Sequence, residues 1–387
     1  MRLVERARWE WWRGDPVDPA SGLMRFLTAH GLPTDLSARV PPVAGAAGMA
    51  AVLVGAAGAA ALGGAAGGAP SPVPAVPDLA VVAYDLRPAP RGEGVPAGAG
   101  RNGGRVQDAG GPAVAAARVG RWSTSWTDAE HAAAVRAVRA AIAEGDVYQV
   151  TVVGHRSAPY SGDPAAALAA VAALPGARYG GGLSGPGWAV ATASPECLLT
   201  VERGLARTSP VKGTRPATAS GRAELLASGK ERAEHVMIVD LVRNDLGRLA
   251  VAGTVRVEQL FGLREWCGLW QAESTVAARL RPATSVADLL AAVLPGGSVT
   301  GAPKLAATGL AAALEPVGRG PAMGALGVLS ADRLDLGLTI RTVAADADRL
   351  HLWAGGGITW GSDPYAEVAE AHAKADPVLA AIGAASC

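Results

Sequence analysis

Cysteine is scarce in this 387-residue chain: Cys197, Cys267 and Cys387 are the only three, an odd number without metal-ligand spacing. That argues against a disulfide framework, and a reducing compartment, the cytoplasm, is expected. An excess of charge is missing too. Lysine plus arginine number 35 against 34 for aspartate plus glutamate, so no basic surface for nucleic acid is implied and a small molecule is the better default ligand. The opening stretch MRLVERARWEWWRGD mixes both signs of charge with tryptophans and holds no apolar run ending in a cleavage site, so no secretory signal is expected. Val40 to Pro77 carries no charge at all. That run is dominated by Ala and Gly, which supply little transfer energy, and it lacks flanking aromatic anchors; a buried strand or helix packing through small residues is expected there, and no membrane span.

What is present suits a large core, in one domain or two. Residues 1–112 read as an N-terminal region of helices and apolar strands, with PDLAVVAYDL at 77–86 a strand, ending in a Gly-, Pro- and Arg-rich connection at 87–112 that reads as a flexible boundary. Residues 113–387 form the second part. There DAEHAAAVRAVRAAIAEGD has helical spacing and a Gly stop, YQVTVVGHR alternates like a strand, and helices and strands then alternate to the end.

The chemistry concentrates in that second part. Lys212 stands between Pro210 and Gly213, where Pro fixes φ and Gly permits unusual backbone. In a confined site such a lysine loses its charge more readily and serves as nucleophile or base; on an exposed turn it would do neither. Glu231 and Glu234 share one helical face, and Glu367 and Glu370 repeat the spacing behind a cap at Ser362 or Asp363 and a Pro near N1. If the helices face each other, four carboxylates form a hard oxygen site suited to Mg²⁺; apart, each pair is a solvated face. Lys374 follows Glu370 at i+4 spacing. The run from Gly296 to Lys304 has Ala302 and Pro303 where a nucleotide-binding phosphate loop needs Lys and Ser or Thr. Its Gly-rich turn, two hydroxyls and bare N–H groups still suit a carboxylate. Gly355-Gly356-Gly357 permits close backbone approach, and Arg341, read as a strand residue in LTIRTV, offers a bidentate clamp for a carboxylate or else a structural contact.

In order, GDVYQV, SPE, PVKGT, KERAEHVMIVDLVRNDLGR, PGGSVTGAPK, IRT, GGGI and SDPYAEVAE resemble the chorismate-utilising enzymes: anthranilate synthase component I, aminodeoxychorismate synthase component I, isochorismate synthase and salicylate synthase. The resemblance runs from about Gly145 to Lys374. It implies an α+β fold of two antiparallel sheets packed as a sandwich and flanked by helices. It also implies a Mg²⁺ site at Glu231, Glu234, Glu367 and Glu370, Glu196 as the general acid that protonates the departing C4 hydroxyl, and Gln149, Thr214, Ser298, Thr300, Gly301, Arg341, Gly355 and Lys374 at the substrate. Members that add water to chorismate carry a lysine base where Gln149 stands, and a neutral amide cannot deprotonate water. Lys212 matches the nucleophilic lysine of the aminodeoxychorismate synthases, where the anthranilate enzymes usually have alanine. Chorismate and a glutamine amidotransferase supplying ammonia are the implied partners, since no glutaminase motif is recognisable here.

Four departures accompany the match. Ala322 stands where a Tyr usually follows Arg-Gly-x, Gln271 where the family has His, and Thr151 where Asn is expected; the Ala/Gly run replaces a Gly-Gly-x-x-Gly-Tyr segment. The leading expectation is aminodeoxychorismate synthesis. Anthranilate synthesis or another specialised chorismate amination is the enzymatic alternative, and a non-catalytic chorismate-binding subunit is the alternative of another class.

Overall fold

The computed structural model describes residues 2–38, 45–87 and 117–385. Of the connection expected at 87–112, residues 88–112 lie outside the described residues, as does Cys387. The described residues form two antiparallel sheets with helices around them, which bears out the α+β expectation.

The larger sheet runs, in hydrogen-bonded order, Arg2–Trp11, Leu79–Arg87, Met49–Val54, Ala325–Ser330, Arg333–Leu338, Cys197–Glu202, Leu205–Ser209, Leu269–Arg279 and Val211–Pro216; Arg256–Trp266 also pairs with Leu269–Arg279. The smaller sheet runs Gly301–Ala302, Gln149–Ser161, Arg349–Ile358, Thr342–Ala345, Trp188–Ser194 and Tyr179–Gly185, and short strands at Arg118–Val119 and Ser123–Thr124 also pair with Gln149–Ser161. Leu183, Val190, Ala344 and Trp353 of the smaller sheet share one buried cluster with Leu53, Leu199, Val201 and Leu336 of the larger. Burial of this apolar area between the sheets is the main favourable term in the fold. Helices Ala165–Ala172 and Pro364–Ala385 pack through Leu168, Val171, Val378 and Ile382 against Val343 and Leu352 of the smaller sheet.

The N-terminal region is woven into the larger sheet, where Met49–Val54 pairs with Ala325–Ser330. The Ala/Gly run supplies that strand and the helix Ala56–Gly63. Its small residues permit the contact: a Cβ on Gly58 would lie 2.1 Å from the Asp78 carbonyl, and one on Gly63 2.1 Å from that of Leu294. Among the described residues no helix is long and apolar enough to cross a membrane. Local signals set the helix ends where the sequence places them. Thr127 and Glu130 form a reciprocal cap at the start of Asp128–Glu144, and Gly145 ends it at φ +88°.

At two places the chain passes directly from a strand of one sheet to a strand of the other, with only two or three residues between them. Ser194-Pro195-Glu196 carries it from Trp188–Ser194 to Cys197–Glu202, and residues 339–341 carry it from Arg333–Leu338 to Thr342–Ala345. The crossings run side by side, tied by Ala193 N–H to the Arg341 carbonyl at 3.1 Å and Leu338 N–H to the Glu196 carbonyl at 3.1 Å. Leu199, fully buried in the intersheet cluster just beyond the first crossing, tests the packing there. Leu199→Ala should cost about 2–5 kcal/mol, read as a lower urea midpoint with an unchanged slope; an unmoved midpoint would show that the layer carries little stability.

Candidate active site

The two crossings place Glu196 and Arg341 in the seam between the sheets. Glu196 is 4 % exposed, and the Ser298 hydroxyl donates to its Oε1 at 2.5 Å. Burial pushes its carboxyl up to about 7, against the opposing pull of the Ser298 hydrogen bond, Lys212, the Val211 N–H and Arg341. A carboxyl held at that value can serve as a general acid near neutral pH. Arg341 does not sit within a strand, as LTIRTV suggests, but at the bend before Thr342–Ala345, with φ +54°, a backbone region that non-glycine residues seldom adopt. Its guanidinium lies 3.3 Å from the centre of the Trp266 ring. Burial lowers it to about 9, and its Nη1 has no hydrogen-bond partner among the described residues, which suits it to an incoming anion.

Lys212 occupies the edge strand Val211–Pro216 at a register shift between Lys212 and Thr214, with Gly213 at φ +75°. The bulge directs the lysine over the glycine strand of the other sheet: a Cβ on Gly357 would lie 2.9 Å from Lys212 Nζ and 2.5 Å from Gln149 Nε2. Lys212 Nζ donates to the Ser298 carbonyl at 3.1 Å, so Ser298 touches both the amine and Glu196. Burial lowers the Lys212 ammonium, partly offset by Glu234 and Glu196. Gln149 is completely buried, and neither atom of its amide has a partner among the described residues. Such an orphaned group beside an amine points to a ligand that completes it.

The four glutamates project from helices Gly229–Gly247 and Pro364–Ala385. Ser228 caps the first helix, accepting from Glu231 N–H at 3.2 Å. Asp363 caps the second, accepting from the Tyr365 and Ala366 amides, while Ser362 donates to Glu367 Oε1 at 2.5 Å. Glu231 accepts from Arg215 at 3.3 Å, Glu234 from Thr359 at 3.3 Å, and Glu370 pairs with Lys374 at 2.7 Å. Lys374 also donates to the Gly355 carbonyl at 3.0 Å. Burial raises Glu234 and Glu367, whereas Lys374 lowers Glu370. Among the described residues no three acidic, histidine or cysteine side chains are close enough to enclose a metal ion. The Lys230 ammonium instead stands between the helices, 3.8 Å from Glu234 and 3.9 Å from Glu367. A cation thus already stands amid oxygen donors from both helices, and donors of that hard, anionic type are the kind that Mg²⁺ prefers.

The loop before helix Lys304–Leu314 is less open than its composition suggests. Thr300 donates its hydroxyl to the Gly296 carbonyl at 2.8 Å, and the Val299 and Thr300 amides bond within the loop. Ser298 alone turns its hydroxyl to the acid. Gly301, at φ +143°, would bring a Cβ within 2.0 Å of the Gln149 carbonyl, so only glycine lets this loop lie against the Gln149 strand. Thr214 lies opposite Gln271 on the neighbouring strand. The departures have structural consequences. Thr151 donates to the Ser298 carbonyl at 3.3 Å, the acceptor Lys212 uses. Gln271 is buried with an unpartnered Oε1 among the described residues, and Ala322, also buried, presents no polar side chain.

Sequence reading missed Trp266 beneath Arg341, the buried pair of Lys304 with Asp245 at 2.8 Å, and the role of Lys230. Lys304 and Asp245 are separated by 59 residues, so no local pattern announces them. Composition offers one clue: the chain has four lysines, Lys212, Lys230, Lys304 and Lys374, and all four lie in or beside this site.

An acid and an amine joined through one serine, an arginine with a free donor, and paired glutamates on facing helices define a site for an anionic small molecule. The family model for chorismate-binding enzymes matches residues 99–380, and the chain belongs to that family. It is 38% identical over 265 residues to aminodeoxychorismate synthase component 1 of Salmonella typhimurium, covering 67% of this chain and 58% of the relative. It is 39% identical over 269 residues to anthranilate synthase component 1 of Streptomyces coelicolor, covering 67% and 53%. The matched region thus spans little more than half the length of these relatives. Anthranilate synthase component I from Streptococcus pneumoniae shares the fold, with a TM-score of 0.77 at 24% identity over 98% of this chain and 92% of that one.

The raised Glu196 carboxyl makes stability depend on pH. The unfolded chain loses this proton near 4.5 and the folded protein near 7, so the folded state binds more protons across that interval and stability falls as pH rises through it. Measured against Glu196→Gln, the wild-type protein should lose on the order of 3 kcal/mol between those values. Parallel stability curves in denaturant titrations across pH would show that the carboxyl titrates normally.

Proposed function

We propose that this protein is a chorismate aminase of the aminodeoxychorismate synthase component I type, making 4-amino-4-deoxychorismate for 4-aminobenzoate and folate, in the cytoplasm. Ammonia comes from a separate glutamine amidotransferase. The observation that carries this reading is Ser298 bridging Lys212 and Glu196, which sets a weakened ammonium and a protonated carboxyl around one small volume.

In this reading Arg341 and Lys374 hold the carboxylates of chorismate, and Gln149 completes its amide hydrogen bonds on the bound substrate. Lys212 attacks C2 as a free amine; the ring double bonds shift, the C4–O bond breaks, and Glu196 delivers the proton with which the hydroxyl leaves as water. Ammonia then bonds to C4, the C2–N bond breaks, and Lys212 returns to its starting state. Glu231, Glu234, Glu367 and Glu370 would hold Mg²⁺, which would supply positive charge toward the ring carboxylate. Gln149 cannot act as a base toward water, which argues against isochorismate formation. Anthranilate synthesis is the second reading, favoured by the likeness to the Streptomyces coelicolor protein; Gln271, replacing the family's histidine, argues against it.

Purified protein incubated with chorismate, Mg²⁺ and ammonium should yield 4-aminobenzoate only when aminodeoxychorismate lyase is added, identified by mass spectrometry. Anthranilate as product would establish the second reading, and chorismate binding without turnover would identify a binding subunit. Lys212→Ala should lower the amination rate by roughly a hundredfold or more while Mg²⁺ affinity, followed by calorimetry, stays unchanged; an undiminished rate would remove the covalent role.

A further inference from the structure

Ser298 can serve both Glu196 and Lys212 only if its backbone is held in place, and the loop from Gly296 to Gly301 has no long side chain of its own to do so. The restraint comes from outside. Arg319 Nη1 donates to the Val299 carbonyl at 2.8 Å, and Arg319 Nη2 donates to the Thr151 carbonyl at 2.8 Å. One guanidinium therefore ties the residue after Ser298 to the strand that carries Gln149. Glu315 fixes the guanidinium in turn, accepting from Nε at 2.8 Å and Nη2 at 2.7 Å. It also accepts the Val153 amide at 2.9 Å, so the pair spans loop, strand and helix end. Arg319 is 12% exposed and Glu315 5%.

We propose that Arg319, braced by Glu315, is the positioning residue of this site, setting the loop from which Ser298 bridges Glu196 and Lys212. The inference rests on the reading that those two groups perform the chemistry, and it goes beyond that reading by assigning their alignment to a residue that touches neither. A planar fork can hold two carbonyls and a carboxylate together, whereas an ammonium cannot hold all of them in the same geometry. Arg319→Lys keeps the charge opposite Glu315 and loses the fork. Displacing a reacting group by about 1 Å is enough to cost up to roughly a hundredfold in rate.

The experiment compares wild type, Arg319→Lys and Arg319→Ala. Arg319→Lys should remain folded by circular dichroism, keep KM for chorismate within about threefold, and lose roughly ten- to a hundredfold in kcat. Its amide hydrogen exchange should accelerate in peptides covering 296–303 and 149–155 and nowhere else. In Arg319→Ala, millimolar guanidinium should restore part of the lost kcat, because Arg319 lines a surface cleft with Ser71, Ala312 and Gly320 that gives the ion an approach. Wild-type kcat in Arg319→Lys, or unchanged exchange in those two segments, overturns the proposal. So does exchange that rises across the whole protein, since the pair would then serve the fold alone. A wild-type protein that turns over no chorismate sinks the proposed function instead, and the exchange pattern still decides the role of Arg319.

Discussion

The structure depends on the seam at which two short crossings run side by side between its two sheets. A crossing carries backbone groups out of one ladder before they enter the next, and buried amides and carbonyls cannot go unpaired. Here the two crossings satisfy each other, Ala193 bonding to Arg341 and Leu338 to Glu196. That mutual pairing lets Glu196 and Arg341 lie inside the protein, away from water, where the carboxyl keeps its proton and the guanidinium is weakened. Leu199 and Leu336, buried beside the seam, exclude solvent from it. The same burial that stabilises the sandwich therefore perturbs the groups the site uses, and the site opposes part of the stability the core supplies.

Around the seam, opposite charges are apportioned in pairs rather than pooled. Lys374 neutralises Glu370, Lys230 stands between Glu234 and Glu367, Arg215 meets Glu231, and Lys304 meets Asp245. Each acid thus has a cation, yet several contacts are long: the two made by Lys230 are 3.8 and 3.9 Å. Long, partly solvated pairs hold little free energy, which leaves these carboxylates available to a stronger cation. The Arg319–Glu315 pair differs. It is short, bidentate and buried, and its geometry suits an anchor rather than an exchangeable contact.

Much of the fold was legible before any coordinates. Helical spacing and a glycine stop delimit the helix that ends at Gly145, and alternation identifies the strand after Gln149, because both signals act over a few residues. The Ala/Gly run was legible as closely packed, but not as part of the larger sheet, since its pairing with Ala325–Ser330 joins positions far apart in the chain. The glutamate pairs were visible from their three-residue spacing. Arg341 was misplaced into a strand, because nothing in LTIRTV reveals a left-handed bend imposed by the crossing. The loop at 296–301 looked like an open anion cradle, and its hydroxyls proved committed to Gly296 and Glu196.

Taken alone, the sequence determined the inventory: which residues could act as acid, amine, clamp and metal ligand, and, through ordered motifs, the family to which the chain belongs. Those properties reside in side-chain chemistry and spacing, which survive without coordinates. Tertiary structure alone decided that Ser298 serves Lys212 and Glu196 together, that Trp266 lies beneath Arg341, and that Arg319 ties the loop to the Gln149 strand. The bonds of Ser298 to Lys212 and Glu196, the stacking of Arg341 on Trp266 and the bond of Arg319 to Thr151 join segments between 75 and 168 residues apart in number. Such contacts exist only because burying two sheets against each other brings distant residues together at a free energy that no local pattern encodes.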